Sequence, residues 1–184
     1  MRLQGRGEFS MRRFTMVLVA GLCLAGLVTA VASAAHFTRQ GTPRCTDVGL
    51  QLECTAELAG LGNGDLTMSI SSGSFASVFC VSPGGNRSPG QNKTPGTVTG
   101  STTIPGAAIK NGRARITSIT DPPVTPSAQA AGCPNPRWTT ELDDVGFTNI
   151  TVTISQGGTL LFTCTRSGAA TTNNQTVALE CTPA

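Results

Sequence analysis

Cys54, Cys80, Cys164 and Cys181 each fall in step with the apolar residues of a short alternating segment, and this coincidence constrains the fold more than any other feature of the sequence. In an extended chain successive side chains point to opposite faces, so residues two apart share a face. A cysteine in the apolar phase therefore sits inside, where a second inward cysteine on a neighbouring strand can reach it.

The alternation recurs along the chain. Leu50, Leu52, Cys54, Ala56 and Leu58 share one parity, and Gln51, Glu53, Thr55 and Glu57 the other, which is the pattern of a half-buried strand. Asn63-Gly64 then leads into Leu66, Met68 and Ile70, with Thr67, Ser69 and Ser71 facing out; Asn-Gly tolerates positive φ at both turn positions, so a hairpin is expected. Ser74 to Val81 is apolar on both parities and reads as a central strand. Asn111-Gly112 is expected to join Ile104–Ile109 to Arg113–Ile119, and Gly157-Gly158 to join Phe147–Ser155 to Thr159–Thr165. In that last pair Ile150, Val152 and Ile154 face the same way as Leu160, Phe162 and Cys164, while Phe147 is out of phase, which predicts a bulge near Thr148-Asn149. Val177, Leu179 and Cys181 complete the inward set. With no window of helical period, roughly eight short strands predict an all-β fold: a disulfide-stapled antiparallel β-sandwich, Ig-like in architecture, with a barrel as the second choice.

Of the seven cysteines, all but Cys23 lie between Cys45 and Cys181. Six cysteines allow fifteen pairings. Cys164 and Cys181 flank the polar stretch Arg166–Gln175 as facing residues of a hairpin would, and Cys45 and Cys54 bracket a reversal through Asp47-Val48-Gly49. Cys80 with Cys133 remains, pinning a Pro-rich loop to the central strand. The cysteines are widely spaced, no C-x-x-C occurs and the single histidine, His36, lies at the terminus of the mature chain, so neither a metal site nor a cofactor is expected.

The same cysteines need an oxidising compartment, and the first residues supply a route to one. MRLQGRGEFSMRRF is basic, Met16 to Ala32 is an uncharged apolar run, and Ala32-Ser33-Ala34 has the small residues of a peptidase site. The reading is a signal peptide over residues 1–34, cleaved after Ala34, and one secreted β domain over residues 35–184, with Met11 as an alternative start. Beyond the leader, Lys and Arg equal Asp and Glu in number, so no nucleic acid and, once the leader is cut, no membrane is expected as a partner.

Three groups of residues merit weighing as sites. Ser82 to Thr97, SPGGNRSPGQNKTPGT, repeats Pro-Gly with a six-residue period and predicts a series of type II turns presenting Asn86, Arg87, Gln91, Asn92 and Lys93 to a polar ligand such as a glycan; the plainer alternative is a solvated connection. Trp138, the only tryptophan, is either a stacking platform for a sugar ring or a plug at the end of the sandwich. Glu141, Asp143 and Asp144 offer carboxylates for glycoside chemistry or calcium, against the simpler reading of a solvated acidic turn. There is no G-x-S-x-G, and His36 lies at the terminus of the mature chain instead of beside a nucleophile, so no catalytic residue is expected.

The motifs CVSPGGNRSPGQN at Cys80–Asn92, KNGR at Lys110–Arg113 and GCPNPRW at Gly132–Trp138, followed by DVGFT, resemble small secreted actinobacterial proteins of unassigned function. The resemblance spans most of the chain beyond the leader and implies a Gram-positive exported protein; it transfers no catalytic residue. The expected function is a secreted, non-enzymatic extracellular module that binds a polar ligand such as a cell-wall or environmental glycan. The alternatives are a structural protein of the cell surface and a secreted hydrolase built on residues 141–144.

Overall fold

Two antiparallel sheets pack face to face in a computed structural model that describes residues 34–184. The expected leader and its cleavage point after Ala34 lie almost wholly outside the described residues. The first sheet contains β1 (His36–Phe37), β2 (Arg44–Asp47), β3 (Leu52–Ala59), β7 (Ala114–Ile119) and β10 (Thr176–Ala178). The second contains β4 (Leu66–Val81), β5 (Arg87–Pro89), β6 (Thr94–Ile104), β8 (Thr139–Gln156), β9 (Thr159–Arg166) and β11 (Glu180–Pro183).

The core is the inward parity of the long strands. Leu66, Met68, Ile70, Ala76, Val78 and Cys80 of β4 are buried, as are Val145, Phe147, Ile150, Val152 and Ile154 of β8 and Leu52, Cys54, Ala56 and Leu58 of β3. Burying such apolar side chains is the dominant driving force, at about 1.5–3 kcal/mol for each large one. A sandwich-like all-β fold is thus the architecture that the alternation predicted, with eleven strands among the described residues in place of roughly eight.

The differences are informative. The two segments expected on either side of Ser71 are one strand, β4, because Ser72 and Ser74 keep the inward parity although they are polar. The apolar residues of the other parity face outward: Phe75 is exposed, and Phe79 lies under the Arg87 guanidinium. Asn63-Gly64 does not close a hairpin. It carries the chain from β3 in one sheet to β4 in the other. Asn111-Gly112 does turn the chain, with φ of 52° and 66° and a bridge between Lys110 and Arg113, but the strands on either side, β6 and β7, belong to different sheets. Ile104–Ile109 is not a strand, since residues Gly106–Ala108 form a single 3-10 turn.

Gly157-Gly158 closes the β8–β9 hairpin with both φ positive. The predicted bulge is present: Asn149 has φ 48° and the register slips between Ser71 and Gly73, which keeps Phe147 and Ile150 both inside. Leu160 departs from expectation. A register slip next to Ser155 turns it outward, and Phe162 pairs with Ile154 instead.

Three disulfides join Cys45 to Cys54, Cys80 to Cys133 and Cys164 to Cys181, the pairs that the spacing suggested. Cys45 faces Cys54 across β2 and β3, and Cys164 faces Cys181 across β9 and β11. The stretch between Cys164 and Cys181 is more than a hairpin loop, for it contributes β10 to the first sheet before returning to the second. Cys80–Cys133 fastens the loop after β7 against β4, where Gly90 N–H also donates to Val78 O and Asn92 N–H to Ala131 O.

Candidate functional site

The Pro-Gly repeat does not form a series of equivalent turns. Only Ser82-Pro83-Gly84-Gly85 closes one, by a hydrogen bond from Gly85 N–H to Ser82 O. Its positive φ, 80°, falls on Gly85 and not on Gly84, so the type II geometry expected with glycine at the third position is absent. Pro89 ends β5, and Pro95-Gly96 lies within β6, paired to Phe75 and Ser74 of β4. Proline is tolerated in such strands where its missing N–H costs no ladder bond.

The residues this loop was expected to offer are therefore divided among tasks. Arg87 pairs with Glu141 at 2.7 Å and stacks its guanidinium 4.5 Å from the centre of the Phe79 ring. Asn92 is occupied in the fold, its side-chain amide donating to Ala130 O and packing against Gly132. Asn86, Gln91 and Lys93 are exposed, and Gln91 packs its Cβ near Gly132. Trp138 is half-buried and stands outside the core cluster, so it is neither a bare platform nor a full plug. Register places Thr139 opposite Val81 and Val81 opposite Arg87, so Trp138 and Asn86 lie at one end of the second sheet with β4 between them, about 10 Å apart at the usual strand spacing.

Glu141, Asp143 and Asp144 do not form an acidic turn. They lie within β8, where Ser77 pairs with Asp144 and Val78 with Leu142, leaving Asp143 as the extra residue of a second bulge. Among the described residues no cluster of three or more metal-ligating side chains occurs.

The most extensive polar feature is one that no single segment announces. Outward residues of five strands of the second sheet line up in rows. One row runs Ser101, Ser69, Thr153, Thr163, Thr182 across β6, β4, β8, β9 and β11. The next runs Thr99, Ser71, Thr151, Thr165, and a third runs Thr103, Thr67, Ser155. Their neighbours in sequence, such as Met68, Ile70, Val152 and Ile154, are buried, which fixes these hydroxyls on the outer face. Rows lie about 6.6–6.8 Å apart along the strands, and hydroxyls about 4.8 Å apart across them. Thr67 bonds Thr103 at 2.9 Å and Ser69 bonds Ser101 at 3.0 Å, which ties these four hydroxyls of β4 and β6 in pairs. Each hydroxyl has one donor and two acceptor positions, and these bonds leave capacity unspent. A shallow depression of about 500 Å³ is lined by Ser69, Ser71, Thr99, Ser101, Thr151 and Thr153, together with Gly100 and the carboxylate-bearing Asp121. Gly100 is required there, because a Cβ would overlap the carbonyl oxygen of Ile119 where the two sheets meet.

No family model, curated protein or solved structure matches the chain.

Proposed function

We propose that this chain is an exported, non-enzymatic extracellular module that binds a polyhydroxylated polymer, a cell-wall or environmental glycan, on the hydroxyl-bearing face of its second sheet. The observation that carries this reading is the registered row of Ser and Thr across all five strands, flanked by a row of four that ends at Glu180 and by a row of three. A sugar polymer presents the same chemistry, hydroxyls that both donate and accept, at a repeating interval. A single net hydrogen bond contributes only about 0.5–1.5 kcal/mol, so binding of this kind relies on many contacts made at once. The paired hydroxyls of β4 and β6 favour it, since they have less rotamer freedom to lose on contact. Export is supported by the basic-then-apolar leader and by three disulfides, which persist in oxidising surroundings.

The test is retention of the purified, oxidised protein on insoluble polymers: peptidoglycan, cellulose and chitin, with an uncharged bead as control. Retention on at least one polymer, released by soluble fragments of that polymer, is the expected result. Absence from all three, together with recovery in the cell-envelope fraction, would favour a structural surface protein instead.

A further inference from the structure

The outer face of the first sheet carries a different chemistry. Its outward residues alternate in charge: Glu53 and Glu57 on β3, Arg44 on β2 and Arg115 on β7. Register sets Arg44 opposite Thr55, midway between the two glutamates, and Arg115 opposite Glu57. Opposite charges at such positions ordinarily pair. Here they do not: among the described residues the one ion pair within 4.0 Å is Arg87–Glu141, in the other sheet. All four residues instead line a depression of about 410 Å³, together with the chain at Gln40–Thr42. That segment lies close because Gly41 has no side chain; a Cβ there would overlap the Glu57 carbonyl oxygen. The floor is already ordered, with Thr46 bonded to Thr176 and Thr55 to Thr117.

We infer that this depression is a second binding site, for a short zwitterionic peptide whose carboxylate lies against Arg44 or Arg115 and whose ammonium lies against Glu53 or Glu57. The selectivity follows from charge. A simple anion attracted by an arginine meets a glutamate one residue pair away, and a simple cation meets the reverse; only a ligand carrying both signs, separated, gains at both ends. Diagonal cross-strand positions are about 7–8 Å apart, which the termini of a di- or tripeptide span. Arginine suits the carboxylate end, since its planar fork donates hydrogen bonds to both oxygens. The size of the depression falls in the usual range for small-ligand sites. The inference is independent of the glycan reading, because the two faces lie on opposite sheets.

The experiment is a 15N-amide titration of the purified protein, expressed with its own leader, using triglycine, N-acetyl-triglycine amide and ammonium acetate as probes. Saturable shifts with triglycine at Arg44, Thr46, Thr55 and Arg115, reduced at least ten-fold in affinity by Arg44→Gln and by Glu57→Gln, are expected. The capped peptide and ammonium acetate should produce none. Both substitutions are at exposed positions, and an unchanged amide spectrum elsewhere in each variant shows that the fold is intact. No saturable shift with triglycine, equal shifts with the capped peptide, or equal shifts with ammonium acetate would overturn the assignment.

Discussion

Thr171 Oγ1 donates a hydrogen bond to Oδ2 of Asp47 across 124 positions of sequence, and the pair fastens one sheet to the other. Asp47 ends β2 and is fully buried; its Oδ1 accepts from Gly49 N–H, its own N–H donates to Gln175 O, and its carbonyl accepts from Asn174 N–H. Thr171 reaches the other way, accepting from the Phe147 N–H of β8. Asn174 sits at φ 66°, a conformation asparagine tolerates better than most residues, and this lets the loop fold back onto Asp47. Thr171→Val keeps the shape and removes the hydroxyl, stranding a buried carboxylate oxygen and a buried N–H. The expected loss is about 2–3 kcal/mol, measured as a lower urea midpoint at unchanged slope. A change under 0.5 kcal/mol would mean the link is not needed.

Burial raises the Asp47 carboxyl above its ordinary value; the bonds from Thr171 and Gly49 pull it down, and the charge of Asp144 pushes it up again, with the net effect upward. A raised value means that the folded state holds the proton more tightly than the unfolded one. The stabilisation from this group is therefore complete below the unfolded value, about 3.9, and is lost as pH rises through the higher folded value. Asp47→Asn has no proton to exchange. The wild type should accordingly gain stability relative to Asp47→Asn between pH 7 and pH 4.5, read from urea midpoints at both. A constant difference, or a loss, would show that Asp47 is not raised.

The disulfides should differ in what they contribute. Cys80–Cys133 closes a separation of 53 residues and Cys45–Cys54 one of 9, and restricting the longer loop removes more freedom from the unfolded chain. On the loop-entropy relation, replacing both Cys80 and Cys133 by Ala costs about 4 kcal/mol, and replacing Cys45 and Cys54 about 3 kcal/mol. Thermal unfolding of the two double variants side by side checks the order. If the Cys45–Cys54 variant is the less stable, packing around that buried pair outweighs chain entropy.

How much of this was legible before the structure depended on whether the signal lay within a strand or between strands. The inward parity of β3, the bulge at Asn149 and the three cysteine pairs follow from alternation and spacing within short windows. β6 was missed because its inward positions, among them Gly96, Gly100 and Thr102, are small or polar, and only Val98 is buried. Asn63-Gly64 misled because an Asn-Gly pair permits a tight turn without specifying which sheet receives the next strand. The hydroxyl rows were half visible: the outward phase of Thr67, Ser69 and Ser71 is plain in the sequence, but their alignment with Thr99, Thr153 and Thr163 requires strand order and register. Arg87 was expected on a free loop, and its ion pair with Glu141 spans β5 to β8, a neighbourhood that sequence distance conceals.

Thr153 sits at the middle of the longest hydroxyl row, between Ser69 and Thr163, with its side chain on the outer face. Thr153→Lys places a long, strongly hydrated charge at the centre of the array without touching the core. The most direct measurement is the dissociation constant of wild type and Thr153→Lys for whichever insoluble polymer retains the wild type, at equal thermal stability. At least a ten-fold weaker value for the variant is the predicted result. Equal affinity for the two proteins would contradict binding on this face.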